Sequence, residues 1–269
     1  MSQGQVVLIF NCTKAAAEFF SCTRKGKIIS PIEPAPKTTI AESMAETNGR
    51  LYWQWLVHVI KVKGKNVLVA MDCQTRFCIT LSSLTKGDDV SFLNNFEHHL
   101  SVHIHELMTS VDANSQAIDT SLEHYRQQHD NCTFYLRGER SVQKHINDVA
   151  WHFRRWTDDR GQVPTGVDLI GIDAFANQLL RQNKADKTSF YPQREFLYAW
   201  LLHYGKHNTA QADACIAILK AKERADFNAR CELSHLGSDH SPEPTEPSGL
   251  TGNFPEHDNV ISLDAYRNK

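Results

Sequence analysis

The stretch from residue 51 to residue 81, LYWQWLVHVIKVKGKNVLVAMDCQTRFCITL, decides the fold. It contains three apolar runs, rich in aromatic and β-branched side chains and separated by short polar turns, which is typical of strands. The strands are predicted at 51–62, 67–72 and 77–81. Because the connecting turns are short, consecutive strands must pair antiparallel. We therefore expect an antiparallel meander, and such a sheet needs a helix on one face to bury its apolar side chains.

Two amphipathic segments are predicted to cover this sheet. Apolar residues recur at helical spacing over residues 91–108 and again over 141–156, so that each segment has one apolar face. The sequence therefore predicts an α+β domain over residues 1–160, in which helices cover an antiparallel meander sheet. A small helical extension and a disordered tail are expected to follow it.

The remaining elements of the first domain follow from shorter patterns. Apolar runs at 5–11 and 132–137 predict two further strands. A short helix is expected at 14–20, with Thr13 as its N-cap. Three prolines between residues 31 and 36 predict a loop that extends to residue 49.

The chain after residue 160 changes in character. Three helices are predicted, at 168–181, 192–204 and 209–230. They define a helical subdomain at 165–236, and the sequence leaves open whether it packs on the first core or stands alone. Residues 238–258 contain four prolines and few large apolar side chains, which predicts a disordered linker.

The last eleven residues, NVISLDAYRNK at 259–269, restore hydrophobicity. From residue 236 onward, six acids and two bases give a net charge of −4, whereas the preceding body carries +2. An apolar segment behind a disordered acidic linker is suited to docking, as an added strand or in a groove. It could dock on its own body, dock on another protein or stay disordered. The apolar side chains of this docking tail are Val260, Ile261, Leu263 and Tyr266.

Composition excludes several classes of protein. The net charge of −2 at pH 7 provides no global positive field that would draw the chain to nucleic acid or to a membrane surface. No apolar run reaches the roughly 18 to 20 residues of a membrane span. Seven irregularly spaced cysteines, with no Cys-x-x-Cys motif and no signal peptide before them, predict reduced thiols in the cytoplasm.

Five short motifs in the first domain carry a resemblance to a known family. They are Cys12-Thr13-Lys14, Tyr52-Trp53-Gln54-Trp55-Leu56, Thr75-Arg76, Arg140-Ser141-Val142 and Asn147-Asp148. Over residues 7–158 the chain resembles an uncharacterised bacterial family called domain of unknown function 6933. The resemblance implies a bacterial protein and supports the α+β prediction, but it implies no activity.

The predicted helix at 141–156 has an unusual outward face. A tryptophan stands there among cationic and amide side chains, and tryptophan and arginine are common at the centres of protein interfaces. The same arrangement could stack a base on the indole while the cations contact phosphates. Alternatively, Trp151 could pack beneath residues 110–130 or against the C-terminal helices. This face consists of Arg140, Lys144, Asn147, Trp151 and Arg154.

One histidine-rich segment offers a metal-binding alternative. His99 and His103 are four residues apart and Glu106 lies one turn further on, so the three could share a helix face and hold zinc, nickel or iron. A glutamate directly after the first histidine, which would serve as the general base of a zinc protease, is missing. The ordinary alternative is a half-buried helix with scattered histidines.

No catalytic signature accompanies these features. The sequence contains neither a phosphate-binding loop with its Lys-Ser or Lys-Thr ending nor a Gly-x-Ser-x-Gly elbow. We therefore expect a cytoplasmic accessory or regulatory binding protein that uses the face at 140–154, assisted by the tail. A protein partner is favoured over nucleic acid, and no cofactor is predicted. The rival hypothesis is a metal-dependent hydrolase or nuclease using His99, His103 and Glu106.

Overall fold

A computed structural model describes residues 6–40, 42, 51–129, 131–182 and 187–236. The strands in this part of the chain are β1 Val6–Cys12, β2 Cys22–Arg24, β3 Lys27–Ile29, β4 Ile32–Pro34, β5 Leu51–Val62, β6 Lys65–Asp72, β7 Cys78–Ser82, β8 Cys132–Leu136, β9 Arg181–Gln182 and β10 Ser189–Phe190. The helices are α1 Lys14–Phe20, α2 Asp89–Ser110, α3 Ser115–Gln128, α4 Arg140–Arg160, α5 Val167–Asn177, α6 Pro192–His203 and α7 Thr209–Leu236. The α+β class is confirmed.

The main sheet has six strands in the order β4-β8-β1-β5-β6-β7. The antiparallel meander β5-β6-β7 is confirmed. The sheet as a whole is nevertheless mixed, because β1 is parallel to both β5 and β8, and β4 is parallel to β8. A parallel pair needs a long crossover connection, and the segments β1 to β5 and β7 to β8 are both long enough to provide one. The loop predicted from residue 31 is wrong at β4, which lies at the sheet edge.

Both faces of the sheet are covered, whereas the sequence suggested helices on one face. Along β5, Trp55 and Val57 enter one core, while Leu56 and Ile60 enter the other. This alternation is the period of two expected of a strand. Helices α1, α2, α3 and α6, together with the first part of α7, cover the first core. Helices α4 and α5 cover the second core.

The helices beyond residue 165 supply buried side chains to both cores. Phe196 and Trp200 of α6 belong to the first core, and Leu169 of α5 belongs to the second. The Phe196 ring stacks on Phe77, the residue before β7, with ring centroids 4.1 Å apart. Helices α5 and α6 therefore pack on the sheet and do not stand alone, a point that the sequence left open.

The chain divides into a compact unit at residues 1–225 and a second unit at 226–269. Within the second unit the structure describes residues 226–236, which form the last part of α7. The predicted linker at 238–258 and the docking tail at 259–269 lie outside the described residues. None of the helices in the described part of the chain combines the length and the apolar character needed to cross a bilayer.

Helix ends differ from the sequence-based expectation where side chains decide them. Thr13 caps α1 as predicted, since its hydroxyl accepts from the Ala16 N–H. The N-cap of α4 is Glu139, whose carboxylate accepts from the Ser141 N–H, so that Ser141 lies inside the helix. The helix predicted to reach residue 181 ends at Asn177, and the chain then enters β9.

We expect Phe196→Ala to lower the free energy of unfolding by about 3–5 kcal/mol, because it empties a fully enclosed aromatic site. The matched control is Ile28→Ala, whose side chain is exposed and should change stability by less than about 0.5 kcal/mol. Urea denaturation followed by circular dichroism measures both. A Phe196→Ala protein that loses only a small part of its helical circular dichroism and unfolds at the same urea concentration as the wild type would contradict packing of α6 on the sheet core.

Candidate functional site

Helix α4 lies across the second core with one row of side chains buried. Val142, Ile146, Val149 and Phe153 pack against the sheet, spaced as one face of a helix. The opposite face therefore points to solvent. All five residues predicted for that face are exposed, namely Arg140, Lys144, Asn147, Trp151 and Arg154.

Trp151 is the unusual member of this face, because 55% of its surface is exposed. Its ring contacts His152 edge-on, with centroids 4.8 Å apart. The guanidinium of Arg155 lies 5.7 Å from the centre of the indole, close enough for a cation–π contact. Trp151 is thus not buried beneath residues 110–130. Arg155 adds a cation that was not among the residues predicted for this face.

A shallow groove of about 330 Å³ runs beside Trp151. Its other wall is the segment after α5, which includes Leu180, an exposed apolar side chain. Phe175 of α5 is also exposed and contacts the His152 ring at 5.2 Å. Exposed apolar side chains that cluster in this way often mark an interaction site. We call this cluster the α4 patch; it comprises Trp151, His152, Arg155, Phe175 and Leu180.

An ion pair between Arg181 and Asp148 lines the groove. Arg181 lines it although only 4% of its side chain is exposed. Its guanidinium meets the Asp148 carboxylate at 3.5 Å and donates to the Ala176 carbonyl at 3.4 Å, while its Nε has no hydrogen-bond partner in the described part of the chain. Arg181 is therefore paired within the protein, and the exposed cations near the groove are Arg154 and Arg155.

His145 lies on the same flank of α4 and adds no positive charge. Burial, and then the charges of Arg181 and Arg76, lower its pKa to about 4. The ring is therefore neutral near pH 7. The positive charge that a ligand meets in this region therefore comes from the arginines.

The three residues of the metal alternative lie on α2, where His103 contacts Glu106 and also Asp173 of α5. His103 is buried, its Nε2 is 3.4 Å from the Asp173 carboxylate and its Nδ1 is 3.7 Å from that of Glu106. His99 is also buried, and burial followed by the charge of His103 lowers its pKa to about 4. No group of three or more histidine, cysteine or acidic side chains suited to a metal occurs among the described residues. The distances therefore lend no support to the metal hypothesis.

The His103–Asp173 contact instead joins α2 to α5. Asp173 is fully buried and accepts the Thr80 N–H of β7 with both oxygens, at 2.9 and 3.0 Å. Burial alone would lower the pKa of His103, but its hydrogen bonds to Asp173 and Glu106 and their charges raise the pKa to about 9. His103 is consequently protonated at neutral pH and holds two helices against one strand.

This pair makes stability depend on pH in a defined direction. The pKa of His103 rises from an ordinary 6.5 to about 9 on folding, so its contribution is complete below pH 6.5 and is lost as pH rises through 9. We expect roughly 2–3 kcal/mol of stability to disappear over that range. Urea denaturation at several pH values measures it.

The variant His103→Gln should be less stable at pH 6.5 and should lack most of this pH dependence. His98→Gln is the matched control, because His98 is an exposed histidine of the same helix. An equal loss of stability between pH 6.5 and 9 in the wild type and in His103→Gln would contradict the assignment.

Two of the motifs quoted above meet where α4 begins. Arg76, in the turn between β6 and β7, donates to the Ser141 hydroxyl at 3.5 Å. The neighbouring Thr75 donates to Asp72 through its backbone N–H and its hydroxyl, at 2.8 and 2.5 Å, and so fixes that turn. The motifs therefore position the N-terminal end of α4 against the sheet.

Comparison with known proteins relates most of the chain to a family of unknown function. The family model described as Domain of unknown function (DUF6933) matches residues 9–195, which extends the resemblance through α5 to the first residues of α6. Searches of the curated proteins and of the solved structures gave no significant match. Since the matched segment covers most of the chain, the protein belongs to the DUF6933 family.

Proposed function

We propose that this chain is a bacterial, cytoplasmic accessory or regulatory protein that binds another protein through the exposed face of α4. The observation that carries the proposal is the exposure of Trp151 beside two further exposed apolar side chains, Phe175 and Leu180. A solvent-exposed indole that adjoins an apolar groove and arginine side chains has the composition of an interface centre. A non-catalytic role is proposed with it.

The chemistry of the patch favours one kind of partner segment. Apolar side chains line the groove, which suits an aliphatic or aromatic side chain of the partner. Arg154 and Arg155 are exposed along α4, and Arg181 lies at the groove floor. We therefore propose a partner segment that carries an apolar side chain next to acidic residues.

A protein fits this face better than nucleic acid does. No net positive charge attracts a polyanion to this chain, which carries −2. The exposed apolar area next to Trp151 would also stay unused against a sugar-phosphate backbone.

The C-terminal segment at 259–269 remains a proposed docking peptide. Its apolar side chains and the acidic linker before it have the chemistry that the α4 patch would bind, and they would suit an external partner equally. A chain truncated after Gly237 distinguishes the two cases. If the segment covers its own body, truncation strengthens partner binding; if it contacts the partner, truncation weakens it.

We expect Trp151→Ala to weaken partner binding at least about tenfold, as is usual for a tryptophan at an interface centre. The measurement is affinity purification from the native host with wild type and variant as baits, after nuclease treatment, followed by titration of the identified partner. Ile28→Ala is the matched control, since Ile28 is exposed on β3, in a separate two-stranded sheet. Thermal unfolding of each bait verifies that it is folded.

A partner retained equally by wild type and by Trp151→Ala would contradict the proposal. So would a species that co-purifies only when the nuclease treatment is omitted, with an affinity that falls steeply as salt rises, because counterion release is the mark of nucleic acid binding. Capture that depends on Trp151 and responds weakly to salt would support the protein-binding function.

A further inference from the structure

The parallel pair β1 and β8 creates a second region suited to binding, away from the α4 patch. The two strands are neighbours in register from Leu8 beside Cys132 to Cys12 beside Leu136. After β1 the chain enters α1, whose buried side chains join the first core. After β8 it enters α4, whose buried side chains join the second core, on the opposite face of the sheet.

Because α1 and α4 pass to opposite faces of the sheet, the chain segments that follow β1 and β8 separate at the carboxyl ends of these strands. In open sheets with parallel strands, ligands bind in the crevice that such a divergence leaves. A crevice of about 700 Å³ lies at this position, between the start of α1 and the start of α4. Its volume is in the range of small-molecule sites.

Cations stand at the rim of this crevice. The Lys14 side chain is 90% exposed, and its ammonium lies 4.0 Å from the carboxylate of Glu18, which also lines the crevice. A pair exposed in this way is weak and leaves the ammonium available. Arg137 also lines the crevice, and one terminal nitrogen of its guanidinium donates to the carbonyls of Pro36 and Thr38 at 2.7 and 2.9 Å. Those bonds hold the guanidinium in place, and no hydrogen bond of its other N–H groups is found among the described residues.

Uncharged donors line the interior. The Thr13 hydroxyl lies 2.9 Å from Nδ1 of His58. Burial, and then the charge of Arg154, lower the pKa of His58, so its ring is neutral at pH 7. The Thr13 oxygen accepts the Ala16 N–H, and its hydroxyl proton can donate to Nδ1 of His58; in that tautomer the imidazole carries its hydrogen on Nε2. Gln143 adds an amide on the α4 side.

We propose that this crevice binds a small metabolite through a phosphate group. Lys14 and Arg137 would neutralise the phosphate, and His58 and Gln143 would donate hydrogen bonds to its oxygens or to the attached group. A phosphate carries a charge of −1.5 to −2 at pH 7 and has several acceptor oxygens, which match two cations and several donors better than a single carboxylate does. The site is independent of the partner-binding surface proposed above.

The test is an NMR titration of the ¹⁵N-labelled full chain with ribose 5-phosphate, with ribose as the sugar control and inorganic phosphate as the anion control. We expect saturable shifts of the amides of Lys14, Gly138 and Gln143 with both phosphate compounds and none with ribose. Lys14→Ala should weaken binding about tenfold, the equivalent of one charge-assisted hydrogen bond. Since Lys14 is exposed, the variant should fold normally.

Lys65→Ala is the matched control, because Lys65 is an exposed lysine at the start of β6. Several results would overturn the proposal: shifts that never saturate, saturable shifts that map outside the crevice, equal binding of ribose and ribose 5-phosphate, or equal weakening by Lys14→Ala and Lys65→Ala. Saturable binding in the crevice that Lys14→Ala weakens and Lys65→Ala leaves unchanged would support the proposal.

Discussion

The fold depends on two neighbouring strands that are apolar on both faces. In β6, Leu68 and Ala70 enter one core, whereas Val67, Val69 and Met71 enter the other. Leaving either face in water would expose several large side chains, each of which contributes about 1.5–3 kcal/mol when buried. The chain must therefore place helices on both sides of the sheet, and the helices beyond residue 165 pack against the same sheet as the meander.

This two-sided burial also explains why α4 has a face free to bind. The helix covers the second core with one row of side chains, and among the described residues no further layer packs outside it. Packing does not require a tryptophan at position 151 on that outer face, since 55% of the residue remains exposed.

The parallel pairing of β1 with β8 has a different consequence. The helices that follow these two strands, α1 and α4, lie on opposite faces of the sheet, and the crevice near Thr13 and His58 opens between their starts. One helix thus borders two surfaces of different chemistry.

Local patterns predicted the meander, the short helix capped by Thr13 and the outward face of α4, because each depends on neighbours within a few turns or strands. The parallel pairing of β1 was not predicted, since nothing in a single apolar run specifies a partner more than forty residues away. Phe175 and Arg181 were missed for the same reason: their place beside Trp151 is fixed by the packing of α5, not by any motif. His103 was considered as a metal ligand because of its spacing to His99 and Glu106; its actual partner, Asp173, is too distant in sequence for a local pattern to indicate.

The most direct test of the α4 patch as a binding surface is carbene footprinting of the full chain, read at single residues by mass spectrometry. It would be performed on the isolated protein and on the complex purified from the host. Labelling of Trp151, Phe175 and Leu180 is expected to be strong in the isolated protein and strongly reduced in the complex, with Ile28 labelled equally in both. Equal labelling of Trp151 in the two samples would contradict a partner at this surface.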